Sequence, residues 1–124
     1  MDQVLNGIKA LSDGNRLRIV MALMDNKEIC VCQVTEMLHL AMPTVSRHIR
    51  VLQNAGLVKN RKDSRWVYYR LSETFPPLCL TWLKDALRNS QDIAEDKTRM
   101  QTILSYDLEE LCKSQKQRRL CRIR

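Results

Sequence analysis

The sequence predicts a mainly α chain carrying one small β-hairpin. Apolar residues recur at helical spacing through most of the 124 residues. Glycine and proline are scarce, three of each. One stretch, LVKNRKDSRWVYYRL, switches to β-branched and aromatic residues on either side of a turn-rich centre. The length suits a domain able to bury its own core, and 44% hydrophobic residues is an ordinary globular share.

The elements follow in order. DQVLNGIKAL has apolar residues at 4, 5, 8 and 11, a helical stripe that SDGN interrupts. NRLRIVMALMDN forms a second helix with residues 17, 20, 21 and 24 on one face. Val31, Val34 and Leu38, at i, i+3 and i+7, define a short third helix beginning near Cys30. AMPTVSRHIRVLQNAG is a fourth, with Pro43 in its first turn, where a missing N–H costs nothing, and Gly56 as its stop. The hairpin comes next, with its turn in NRKDS. Pro76 and Pro77 open a fifth helix whose stripe is 78, 79, 82, 83 and 87. Residues 94–112 predict one or two further helices, broken near SYD, and KSQKQRRLCRIR reads as a basic, solvated end. The division is a domain over 1–91 and a helical extension over 92–124.

Charge is unevenly placed. Residues 1–41 hold four basic and five acidic side chains, 42–72 seven and one, 73–112 four and eight, and 113–124 six and none. A basic middle between acidic flanks is the footprint of a polyanion partner. On a wheel of the fourth helix, Val45, Ile49 and Leu52 cluster within about 60° and form the buried stripe. Ser46, Arg47 and Arg50 lie opposite, Thr44 is marginal, and His48 lies beside the apolar stripe as a packing residue. Arginine pairs bidentately with guanine or phosphate. Lys59, Arg61, Lys62 and Arg65 put a second set of cations on the hairpin, placed to follow phosphates. A short helix, a tight turn, a basic helix and a basic hairpin is the order of a winged helix-turn-helix.

EICVCQVTEMLHLAMPTVSRHIRVLQNAGLVKNRKDSRWVYYRL resembles the ArsR/SmtB family of metal-sensing bacterial repressors, over residues 1–90. TVSRHIRVLQNAGLV and RWVYYRL are its strongest parts, and ICVC resembles the paired-cysteine start of the third helix in arsenic-sensing members. The resemblance implies a winged-helix homodimer paired through its first and fifth helices, bound to double-stranded operator DNA and weakened by an effector. Ala41-Met42 stands where the family often has Ser-Gln, and Thr35 where some arsenic sensors carry a third cysteine.

The cysteines, at 30, 32, 79, 112 and 121, are odd in number and are expected as thiols in a cytoplasmic protein. Cys30 and Cys32 would lie 200° apart on a regular helix, so clamping one ion there requires a loosened first turn. Spacing alone leaves three readings open: a soft-ion site, a redox pair, or small buried hydrophobes. The resemblance selects a trivalent arsenic or antimony effector on Cys30 and Cys32; such an ion takes two or three thiolates, and Cys112 and Cys121 are the candidates for a third. Cys79, on the fifth helix's stripe, is expected to be buried. No Gly-rich phosphate loop or nucleophile motif points to an enzyme, and no cofactor is required. A metal-independent or thiol-redox-responsive regulator is the main alternative. A metallochaperone would not need the basic helix and hairpin. No run of 18 apolar residues crosses a membrane.

Overall fold

SDGN ends one helix and starts another for a local reason: Asp13 accepts the N–H groups of Asn15 (2.8 Å) and Arg16 (3.2 Å) and so caps the second helix. The computed structural model describes the backbone of residues 1–123 and the side chains of residues 1–117. Its elements are α1 (Asp2–Leu11), α2 (Gly14–Asp25), β1 (Ile29–Cys30), α3 (Val31–Leu38), α4 (Met42–Asn54), β2 (Val58–Asp63), β3 (Trp66–Leu71), α5 (Pro77–Ala86), α6 (Gln91–Ile103) and α7 (Leu108–Ile123). This is the expected mainly α winged helix-turn-helix.

The core forms where α2, α3 and α4 meet. Ile19, Val20, Val34, Met37, Val45, Ile49 and Leu52 are almost fully buried there. Each such side chain contributes about 1.5–3 kcal/mol of transfer free energy. The stripe expected on α4 is the buried one, so its basic face necessarily points outward. α4 ends at Gly56, whose φ of +76° lets the chain turn into β2.

Two features of the sheet depart from the sequence reading. It has three strands, ordered β1-β3-β2, because Ile29 and Cys30 pair antiparallel with Tyr69 and Tyr68. The hairpin turn also lies later than expected. Asn60 to Asp63 remain in β2, Asp63 pairs with Trp66, and the chain reverses at Ser64 and Arg65. Ser64 takes a positive φ of 58°, the left-handed conformation that a two-residue hairpin turn demands and that Gly, Asn or Asp more usually supplies.

The stripes of α1 and α5 behave differently from that of α4. Val4 (63%), Ile8 (60%), Leu78 (85%) and Trp82 (65%) are exposed, and only Ala10 and Leu83 of those helices are buried. Cys79 is half-buried rather than buried.

The extension packs onto the DNA-binding half. On α6, Asp96, Met100 and Ile103 are buried, and Asp96 accepts two hydrogen bonds from Arg18 of α2, at 2.8 and 2.7 Å. On α7, Leu111 is buried and Cys112 packs on α3. From Lys113 the basic end continues α7 as far as Ile123; Lys113, Ser114, Lys116 and Gln117 are solvent-exposed as expected, while Gln115 donates to the Cys32 carbonyl at 2.8 Å. No described helix is long and apolar enough to cross a membrane.

Candidate nucleic-acid interface and thiol site

α3 stops at His39, which adopts the left-handed conformation (φ 54°), and the chain turns through Leu40 and Ala41 into α4. This is the short helix, tight turn and second helix that the sequence predicted. Ala41 caps α4 with no side-chain hydrogen bond, as its chemistry requires. Arg47 and Arg50 are exposed, and Thr44 and Ser46 are half-exposed beside them. Arg47 reaches Thr44 Oγ1 at 3.4 Å. His48 is half-buried, its Nδ1 3.3 Å from the Arg16 guanidinium of α2, a position at the flank of the apolar stripe.

The wing cations are not bare. Lys59 pairs with Glu73 at 3.0 Å, Arg61 with Glu28 at 2.5 and 2.8 Å, and Arg65 with Glu109. Lys62 forms no ion pair among the described residues. Glu73 is held down to about 2 by its own backbone N–H, Lys59 and Arg70. The Arg61 guanidinium holds the Glu28 carboxyl below its usual range. Arg61 also stacks over Tyr68, 4.7 Å from the ring centre, and Arg65 over Trp66 at 5.0 Å. The sequence reading missed these glutamates. Glu28 and Arg61 are 33 apart and Glu109 and Arg65 are 44 apart, so no local pattern joins either pair.

The cysteines separate into different situations. Cys32 and Cys112, 80 residues apart, are joined as a disulfide with their Cα atoms 6.2 Å apart. This overturns, for those two, the expectation of free thiols. Cys30 is a free, buried thiol. It sits at the N-cap of α3 in a capping box with Gln33, whose Oε1 accepts the Cys30 N–H at 2.9 Å while the Cys30 sulfur takes the Gln33 N–H. The spacing Cys30 to Gln33 was a readable cue for that box. Cys121 lies outside the residues whose side chains are described. Among the described residues no group of three or more His, Cys, Asp or Glu is arranged to hold a metal ion.

Cys30, Cys32 and Cys112 all line one cavity of about 620 Å³ between α3, the start of α4, the wing and α7. Leu40, Ala41, Met42, Trp66 and Val67 also line it, so the wall of the thiol site includes the entry to α4 and the turn end of the wing. Tyr69 forms a second connection. Its hydroxyl is pushed up by burial and then by the Cys30 thiol, while Arg50 acts in the opposite direction, so Tyr69 lies within electrostatic reach of both the thiol and the basic helix.

An exposed basic helix braced by a helix-turn-helix core, with a basic hairpin beside it, defines a winged-helix, DNA-binding transcriptional regulator. Comparison with known proteins narrows the class. The family described as "Bacterial regulatory protein, arsR family" matches residues 13–60. The chain is 38% identical over 84 residues to the arsenical resistance operon repressor of Escherichia coli, an alignment covering 68% of this chain and 72% of that protein. It is 36% identical over 84 residues to the arsenic resistance transcriptional regulator ArsR1 of Pseudomonas putida, covering 68% of this chain and 66% of the relative. Among solved structures, the homodimeric winged helix-turn-helix DNA-binding domain (fragment 1–100) from Mycobacterium bovis superposes with a TM-score of 0.63 at 26% identity, covering 73% of this chain and 82% of that one. The chain belongs to the arsR family of bacterial regulatory proteins.

Proposed function

We propose that this protein is a homodimeric repressor that binds operator DNA through α4 and the wing and releases it when a trivalent arsenic or antimony species binds its cysteine thiolates. The observation that carries this reading is the meeting of Cys32 and Cys112 at the start of the helix that precedes α4. In the reduced protein this pair is a preassembled soft-donor site, and soft thiolates favour soft ions. Cys30 lines the same cavity and is the third donor, available once the first turn of α3 opens. A ligand shifts DNA binding only by its difference in affinity between two states. Here the difference arises because drawing Cys30 toward the ion breaks the capping box and loosens its pairing with Tyr68. β3 carries that displacement to β2, and the cavity wall at Ala41 and Met42 carries it to α4. The arsenic-resistance relatives support the choice of effector. The exposed apolar residues of α1 and α5 support a second copy as the partner that covers them.

In the DNA complex Arg47 and Arg50 meet base edges, with Thr44 and Ser46 beside them, while Lys59, Arg61, Lys62 and Arg65 follow the backbone. Lys59, Arg61 and Arg65 must exchange their glutamate partners for phosphate.

The test is fluorescence anisotropy of an operator duplex, selected from a random pool, with the reduced protein and added arsenite. Release should follow a coupling of about 1–3 kcal/mol, or some 5–150-fold in affinity. Cys32→Ser and Cys112→Ser should bind DNA and ignore arsenite. If Cys32→Ser releases DNA at the same arsenite concentration as the wild type, the thiol assignment is wrong. Arg47→Ala should cost about 1–3 kcal/mol and relax sequence preference, whereas Lys62→Ala should weaken all sequences alike and lower the salt slope by about one. Equal loss on specific and random DNA for Arg47→Ala would remove α4's outer face from base readout.

A further inference from the structure

In the reduced protein the thiol site holds Cys32 and Cys112 side by side and a third cysteine engaged elsewhere, beside more empty space than an ion can use. We propose that its preferred ligand is a monosubstituted trivalent arsenical, R–As(OH)2 with a small aryl group, bound by Cys32 and Cys112 with the aryl group in the cavity against Trp66 and Val67. The inference rests on the reading of this site as a metalloid sensor and names the chemical class it takes.

The first argument is valence. Trivalent arsenic forms three bonds. Cys32 and Cys112 come together across α3 and α7, but Cys30 is 1% exposed and is held in the capping box of α3. Inorganic arsenite must open that box to reach a third sulfur. An arsenical that already carries one carbon substituent needs only two, and it releases DNA by a different push: its substituent displaces the cavity wall at Ala41 and Met42, the entry to α4. The step balances as R–As(OH)2 plus two Cys–SH giving R–As(S–Cys)2 plus two H2O. Two As–O bonds are replaced by two As–S bonds, the thiol protons leave in the water, and arsenic remains trivalent.

The second argument is space. An ion wrapped in thiolates fills its own coordination shell. The cavity beside these sulfurs is about 620 Å³, within the range of about 300–1,000 Å³ typical of small-molecule sites. Its wall near the thiols carries Val31, Leu40, Met42, Trp66 and Val67, the apolar and aromatic surface on which a ring packs by offset or edge contact. Arg65, Glu109, Lys113 and Lys116 also contribute to the lining. The third argument is an unfilled polar position. Gln115 lines the cavity, and its buried Oε1 accepts no hydrogen bond among the described residues. A donor substituent on the aryl ring, or a trapped water beside an unsubstituted ring, would satisfy it.

The experiment uses the reduced full chain on its operator, with phenylarsine oxide and sodium arsenite as probes, anisotropy for release and intact mass for binding. Phenylarsine oxide should add one C6H5As unit less two hydrogens per protomer. Cys30→Ser keeps an N-cap, since serine is a preferred one. It should respond to phenylarsine oxide as the wild type does while needing at least about tenfold more arsenite. Cys112→Ser should lose the mass adduct and both responses. Val67→Phe, a strand-compatible change that fills the cavity, should raise the half-release concentration of phenylarsine oxide at least about fivefold and leave that of arsenite unchanged. The proposal is overturned if Cys30→Ser loses both responses, if Cys112→Ser still forms the adduct, or if Val67→Phe moves neither or both probes. If neither probe releases the wild type from DNA, the metalloid reading itself fails, and the proposal falls with it.

Discussion

The two helices of the C-terminal extension are fastened in different ways. α6 lies against α2 and α3 along its whole length, with Ile93, Asp96, Met100 and Ile103 at the spacing of one helical face and the Arg18 guanidinium gripping Asp96 through two hydrogen bonds. α7 is held near its start, by Leu111, Cys112 and Gln115, and two of those contacts converge on a single residue, Cys32. An attachment spread over a face belongs to the fold. One focused on a single cysteine depends on what its sulfur is bound to.

Substitutions can break or sharpen the contrast. The largest effect is expected from Asp96→Ala, which strands the Arg18 guanidinium, 21% exposed, against α6. Breaking a buried pair this way costs about 3 kcal/mol or more, read as a lower urea midpoint. A loss under about 1 kcal/mol would put α6 in the same class as α7. Leu111→Ala should cost about 2 kcal/mol, the low end for a buried leucine, because α7 can collapse onto the gap. Its effect on effector-free operator binding should be small, and a large one would mean that α7 supports α4 directly. Asp13→Ala removes a cap from α2 and gives an internal scale of about 1 kcal/mol. Burial opposes ionisation of Asp13, but the N–H groups of Arg16 and Asn15 outweigh it and its pKa is lowered. The cap's contribution is therefore complete above the ordinary value of 3.8 and fades as pH falls through the lowered one. The stability gap between wild type and Asp13→Ala should close in acid. Glu109→Gln should have the smallest effect, under about 1 kcal/mol in stability, since the Glu109–Arg65 pair is exposed. It frees Arg65 for phosphate, so non-specific DNA affinity should rise at low salt. No rise would show that the glutamate exchanges without cost.

What the sequence revealed depends on how far apart the partners are. Val45, Ile49 and Leu52 announce their buried face within eight residues, and the outward placement of Arg47 and Arg50 follows from it. The Asp13 break and the Gly56 stop are equally local. β1 was invisible because two residues make no pattern and their partners, Tyr68 and Tyr69, lie across the whole helix-turn-helix. The Cys32–Cys112 meeting spans 80 residues. Sequence chemistry could name Cys112 as a candidate beside Cys121, but only the packing of α7 on α3 brings it to the site. The stripes of α1 and α5 were read correctly as helical, but periodicity does not say whether a stripe faces the chain's own core or another surface.

Strand β1 also bears on time. It is two residues long and paired on one side only, whereas β3 is paired on both. Short edge pairings open by local fluctuation, at far lower free energy than the cooperative unfolding of a core. In deuterium exchange the amides of β1 should therefore exchange before those of β3, without help from global unfolding. Cys30 is reached on the clock of a two-residue fluctuation, so for an inorganic ion that needs this third sulfur the delay between effector arrival and DNA release is governed by that local opening and not by the lifetime of the folded domain.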